Sequence, residues 1–128
     1  MKVPFNINLS GKTAIVTGGS GTLCSAMAYG LAVSGANVAI IGRNIEKLAS
    51  VSEKLTKNAL DEYNKDVTIK GYSCNVINKD ELTAAYETIK NELGSCDILI
   101  NGAGGNQPGA ITSIEMLKKD KEDSDYSF

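Results

Sequence analysis

The chain has 128 residues, 42% of them hydrophobic and 22% charged, which is one globular domain's worth. Thirteen Lys and Arg against fifteen Asp and Glu leave a net charge of -2, so no basic surplus exists to neutralise a nucleic-acid backbone. There is no histidine, which excludes imidazole-ligated metal and every catalytic triad built on imidazole.

The N-terminus, MKVPFNINLSGK, lacks a long apolar signal core, and no apolar run approaches the ~20 residues of a membrane span. A cytoplasmic protein with neither membrane nor nucleic-acid partner is expected. The three cysteines, Cys24, Cys74 and Cys96, are odd in number and show no CxxC spacing. They read as reduced thiols of a core, with no metal site.

Four short apolar runs alternate with three amphipathic stretches. Lys12 to Thr17 is the first run and ends in a glycine cluster. Leu23, Met27, Leu31 and Ser34 then step along one helical face. Ala36 to Ile41 is the second run. Ile45, Leu48, Val51, Leu55 and Ala59 mark the second helix. Val67 to Cys74 is a third, weaker run. Leu82, Tyr86, Ile89 and Leu93 mark the third helix, with Asn78 and Glu81 placed as a capping box. Gly35 and Gly94 stand where left-handed caps would end the first and third helices. Asp97 to Asn101 is the fourth run, again followed by glycine.

The order β-α-β-α-β-α-β predicts an α/β fold, a Rossmann-like doubly wound parallel sheet of which this is the first half. Residues 1–114 form the dinucleotide-binding unit on this reading. Residues 115–128 carry eight charges in fourteen positions and read as a charged segment leading into a missing second half.

The sharpest feature is Thr17-Gly18-Gly19-Ser20-Gly21-Thr22-Leu23-Cys24, between the first strand and the first helix. Glycines there let the backbone turn tightly and approach a ligand. The helix N-terminus offers N–H groups and a positive dipole end to a pyrophosphate. No Gly-Lys-Ser/Thr follows, so the turn is not a P-loop. The second strand ends in Gly42-Arg43. A carboxylate for ribose hydroxyls is missing there, and a guanidinium suited to a 2′-phosphate is present, which favours NADP with NAD as the alternative.

Thr17 to Cys24, Cys74-Asn75-Val76 and Asn101-Gly102-Ala103-Gly104, kept in order and spacing, resemble the short-chain dehydrogenase/reductase family over about residues 8 to 110. The combination TGGSGTLCSAMA with NGAGGNQP is similar to the branch of D-mannonate oxidoreductases. Four positions depart from the family pattern. Thr22 and Cys24 replace glycines, Asn75 replaces an aspartate, and Gly102 replaces an asparagine.

The resemblance implies cofactor roles for Gly18, Ser20, Thr22 and Leu23 around the pyrophosphate, and for Arg43 at the adenosine ribose or its phosphate. It implies Asn75 and Val76 beside the adenine, and Asn101, Ala103 and Gly104 toward the nicotinamide ribose. It further implies an oxidoreductase moving hydride to or from a small carbonyl or hydroxyl substrate, such as a sugar acid, and a homo-oligomer when full-length. The family's Ser and Tyr-x-x-x-Lys lie beyond the fourth strand, and none follows Gly104 here. Tyr86-Glu87-Thr88-Ile89-Lys90 lies upstream, on a helix stripe, and reads as core. No catalytic residue is assigned, and the chain is expected to be a fragment, inactive alone. The alternatives are a non-catalytic NADP(H)-binding regulatory module and a methyltransferase; Gly42-Arg43 argues against the latter.

Overall fold

The computed structural model describes residues 6–104; the charged segment at 115–128 lies outside the described residues. Seven elements alternate: β1 (Thr13–Thr17), α1 (Thr22–Val33), β2 (Asn37–Gly42), α2 (Ile45–Tyr63), β3 (Ile69–Ser73), α3 (Lys79–Leu93) and β4 (Ile98–Asn101). The four strands form one parallel sheet in the order β3-β2-β1-β4.

Strand residues alternate between two cores. Ala14, Val16, Val38 and Ile40 face α1 and α2, together with Ala28, Ala32, Leu48, Leu55 and Ala59. Ile15, Ala39, Ile41 and Tyr72 face the other way, against Ile89 of α3. Both faces of β1 and β2 are therefore covered, which explains why these strands are apolar throughout. No helix among the described residues is long and apolar enough to cross a membrane.

Two local expectations need correction. The Leu23-Met27 stripe does not face the sheet: Leu23 is 71% exposed and Met27 41% exposed. Ala28, Tyr29, Ala32 and Val33 are the buried set of α1. This helix is apolar nearly all round, so periodicity alone could not choose a face. Small residues let its axis lie close to the sheet, and Ala28 and Ala32 supply them.

The second correction concerns helix ends. Gly94 has φ 110° and ψ 173°, outside the left-handed helical region. α2 ends instead on a left-handed cap that the sequence reading missed, Asn64, at φ 51° and ψ 40°. Asparagine tolerates that conformation better than other side chains do.

Candidate cofactor site

The chain runs from β1 outward to β3, then returns to place β4 on the other side of β1. This reversal leaves a crevice at the carboxyl ends of the strands, where open α/β sheets bind ligands. A cavity of about 650 Å³ lies there. Each of the four strand ends contributes to its wall: Gly18 and Ser20 after β1, Arg43 after β2, Asn75 and Val76 after β3, and Ala103 and Gly104 after β4.

Backbone bonds set the shape of the glycine turn. Gly19 N–H donates to Ile41 O at 3.2 Å, and Gly21 N–H to Gly18 O at 3.0 Å. Gly18 has φ +66°, and a Cβ there would stand 2.6 Å from Gly102 O. Both conformation and space require glycine at this position. The turn delivers the chain to α1 with Gly21 as N-cap and no side-chain cap bond. By contrast, Asn44 caps α2 through Lys47 N–H, and Asn78 caps α3 through Asp80 and Glu81 N–H. The one helix start left without a side-chain cap among the described residues is the one beside the cavity. That end carries the positive pole of the helix, so an anion is favoured there.

Thr17 ties this turn to the last strand. Its Oγ1 accepts from Gly102 N–H at 3.0 Å and from Ala103 N–H at 3.1 Å, and it donates to Ile100 O at 3.5 Å. The bracing of the 101–104 segment is therefore the work of a threonine on β1. The sequence reading included Thr17 in the motif without giving it a role.

Lys47 was missed altogether. It lies four residues beyond Arg43, in the first turn of α2, and lines the same cavity. Two cations on either side of the Asn44 cap, just past β2, were the available signal. Among the described residues neither is paired with a carboxylate; the ion pair there is Lys70–Glu92.

Asn75 is held by its neighbours. Its N–H donates to Glu81 Oε2 at 2.8 Å, and its Oδ1 accepts from Ile77 N–H at 3.3 Å. The predicted capping box is thus half formed. Asn78 Oδ1 accepts from Glu81 N–H at 3.2 Å, but the Glu81 carboxylate reaches back to Asn75 instead of closing on the cap residue's backbone. Beside it, burial pushes the Cys74 thiol above its usual range, with the Glu81 charge adding to the effect.

Not every expected residue reaches this cavity. Thr22 and Leu23 open α1 with exposed side chains and do not line it. Asn101 lines a second cavity of about 640 Å³, with Ile15, Tyr86, Ile89 and Leu99. Val76 and Ala103 border both. Tyr86 is half-buried and packs against the Ile15–Ile89 cluster, while Lys90 is exposed, so the Tyr86/Lys90 pair belongs to α3 packing. Of the thiols, Cys74 is buried and Cys24 and Cys96 are half-buried; all three are free.

A nicotinamide dinucleotide fits the residues present: a glycine cradle that a Cβ would fill, a bare helix start, and two cations just past β2 that have no carboxylate partner among the described residues. Comparison with known proteins agrees with this geometry. An uncharacterised oxidoreductase of Bacillus subtilis, UxuB, is 41% identical over 124 residues, which is 97% of this chain and 42% of that protein. A Haemophilus influenzae structure with bound NAD, provisionally assigned as a D-mannonate oxidoreductase, superposes with a TM-score of 0.67 at 36% identity, over 92% of this chain and 40% of that one. L-sorbose reductase of Gluconobacter frateurii, in complex with NADPH and L-sorbose, gives a TM-score of 0.70 at 26% identity, over 80% of this chain and 37% of that one. The chain thus spans about two fifths of the length of these relatives. The short chain dehydrogenase family itself is matched over residues 12–123. Because that match runs through nearly the whole chain and not through the glycine turn alone, the chain belongs to the short chain dehydrogenase family.

Proposed function

We propose that this chain is the cofactor-binding part of an NADP(H)-dependent oxidoreductase acting on a small carbonyl or hydroxyl compound, with a sugar acid as the substrate class. The observation that carries the reading is the juxtaposition, in one cavity, of the Gly18 turn with Arg43 and Lys47. The start of α1 takes the pyrophosphate, Arg43 and Lys47 take the 2′-phosphate, and Asn75 and Val76 flank the adenine. Ala103 and Gly104 give backbone on the nicotinamide side.

When bound, the cofactor supplies or accepts the hydride. The residues of this chain bind and orient it, and Thr17 holds the two walls in register. The sugar-acid assignment rests on the likeness to the Haemophilus structure, and NADPH in the sorbose reductase supports the preferred cofactor. A cytoplasmic setting accords with this chemistry.

The test is a pair of dissociation constants on the intact protein, for NADPH and NADH. NADPH binds more tightly, and Arg43→Asp weakens NADPH by about tenfold or more while sparing NADH, as loss of a charge-assisted pair requires. Tighter binding of NADH by the unmutated protein overturns the cofactor preference. Binding of neither overturns the reading.

A further inference from the structure

Two departures from the family pattern lie 78 positions apart in sequence, at Cys24 and at Gly102, and they meet in space. Cys24 is in the first turn of α1, half-buried against the α1–α2 core. Gly102 follows β4 directly. A Cβ built on Gly102 collides with Cys24 Sγ; the next atoms it meets are Thr17 O at 2.8 Å and Cys24 Cβ at 3.5 Å. The thiol therefore fills the volume that a side chain at 102 would enter. The same Gly102 gives its N–H to Thr17 Oγ1 and crowds Gly18 with its carbonyl. Cys24 thus presses on the point where the turn after β1 and the turn after β4 are joined.

We propose that Cys24 and Gly102 form one reciprocal packing pair, and that Cys24 is a positioning residue for the cofactor cavity. The thiol sets the separation between the start of α1 and the 101–104 turn, the two walls that approach each other beside Gly18. A larger residue at 102 drives these walls apart while the thiol is present. A smaller residue at 24 leaves a void between them and lets the 101–104 turn shift. The pair rests on the cofactor reading above for its functional consequence, but its packing geometry does not.

The experiment is a double-mutant cycle in the intact protein with Gly102→Ala, Cys24→Gly and the double variant. Both NADPH affinity and Tm are measured, affinity at a temperature where every variant is folded. Gly102→Ala weakens NADPH by about tenfold, the scale of an overpacked contact. Adding Cys24→Gly recovers at least about threefold of that loss and most of the lost Tm, because contacting sites are non-additive. Recovery is partial, since Thr17 O also crowds the new methyl group. Cys24→Gly alone weakens NADPH by about threefold through the void.

Additive penalties in both quantities overturn the pair. Movement of Tm with unchanged affinity overturns the positioning role and leaves packing alone. If the unmutated protein binds no dinucleotide, the cofactor reading and the positioning role built on it fail together. The Tm cycle then still decides whether the two residues are coupled.

Discussion

Thr17 and Gly18 are adjacent, and each serves the cavity by a different physical means. Thr17 satisfies two part-buried backbone N–H groups with one hydroxyl. Thr17→Val keeps the shape and removes the acceptor, leaving both donors unpaired. The expected loss is about 2 kcal/mol of stability, read from the urea midpoint, with weaker NADPH binding. Gly18→Val acts through sterics: its Cβ would enter the space held by Gly102 O. Cofactor binding is expected to vanish while far-UV circular dichroism stays near native and Tm falls, since the strands and helices do not depend on the turn. Undiminished affinity in Gly18→Val would reduce the glycine cluster to a connector.

At the scale of elements, α1 and α2 are joined by a buried phenol. Tyr29 of α1 donates to Glu62 Oε2 of α2 at 3.1 Å and meets the Tyr63 ring edge-on at 6.3 Å between centroids. Burial, and after it the Glu62 carboxylate, push the Tyr29 pKa from 10.0 up to about 12. The folded chain holds this proton more tightly than the unfolded chain. The stabilisation is complete below pH 10 and is lost as pH rises from 10 toward 12. Tyr72 is raised in the same direction by burial and by Glu92, so it adds to the alkaline loss. Urea midpoints measured from pH 8 to about pH 11 should therefore fall steeply above pH 10, and Tyr29→Phe should flatten the fall without abolishing it. An unchanged alkaline slope in Tyr29→Phe would place the loss elsewhere.

For the whole molecule, the cofactor cavity draws on every strand end, whereas no Tyr-x-x-x-Lys follows Gly104. Among the described residues β4 pairs on one side only, with β1, and Leu99 on it is 56% exposed. Hydride transfer also needs a substrate pocket and a proton donor held in register with the cofactor. The 128-residue chain alone is therefore expected to reduce neither sugar acids nor simple ketones above background with NADPH. Tyr86→Phe in the intact protein should leave turnover unchanged, because Tyr86 packs with α3. Turnover by the isolated chain that disappears on mutating Tyr86 would overturn both expectations.

The sequence by itself determined the element order, the parallel sheet and the location of the glycine turn. These follow from local rules: apolar runs of strand length, helical periodicity, and glycine where the chain must reverse. It also put Arg43 just past the end of β2, where it lines the cavity, because the residue following a strand is known once the strand is. What the sequence could not determine is whatever depends on two elements meeting. The buried face of α1 was decided by close packing on the sheet, which favours Ala28 and Ala32 over the larger Leu23 and Met27. Lys47 joined the site because α2 starts beside the cavity. Asn101, assigned with its neighbours Ala103 and Gly104, was turned by strand alternation toward the second cavity. The meeting of Cys24 with Gly102 required β4 to lie beside β1, and only the tertiary structure brings those turns together.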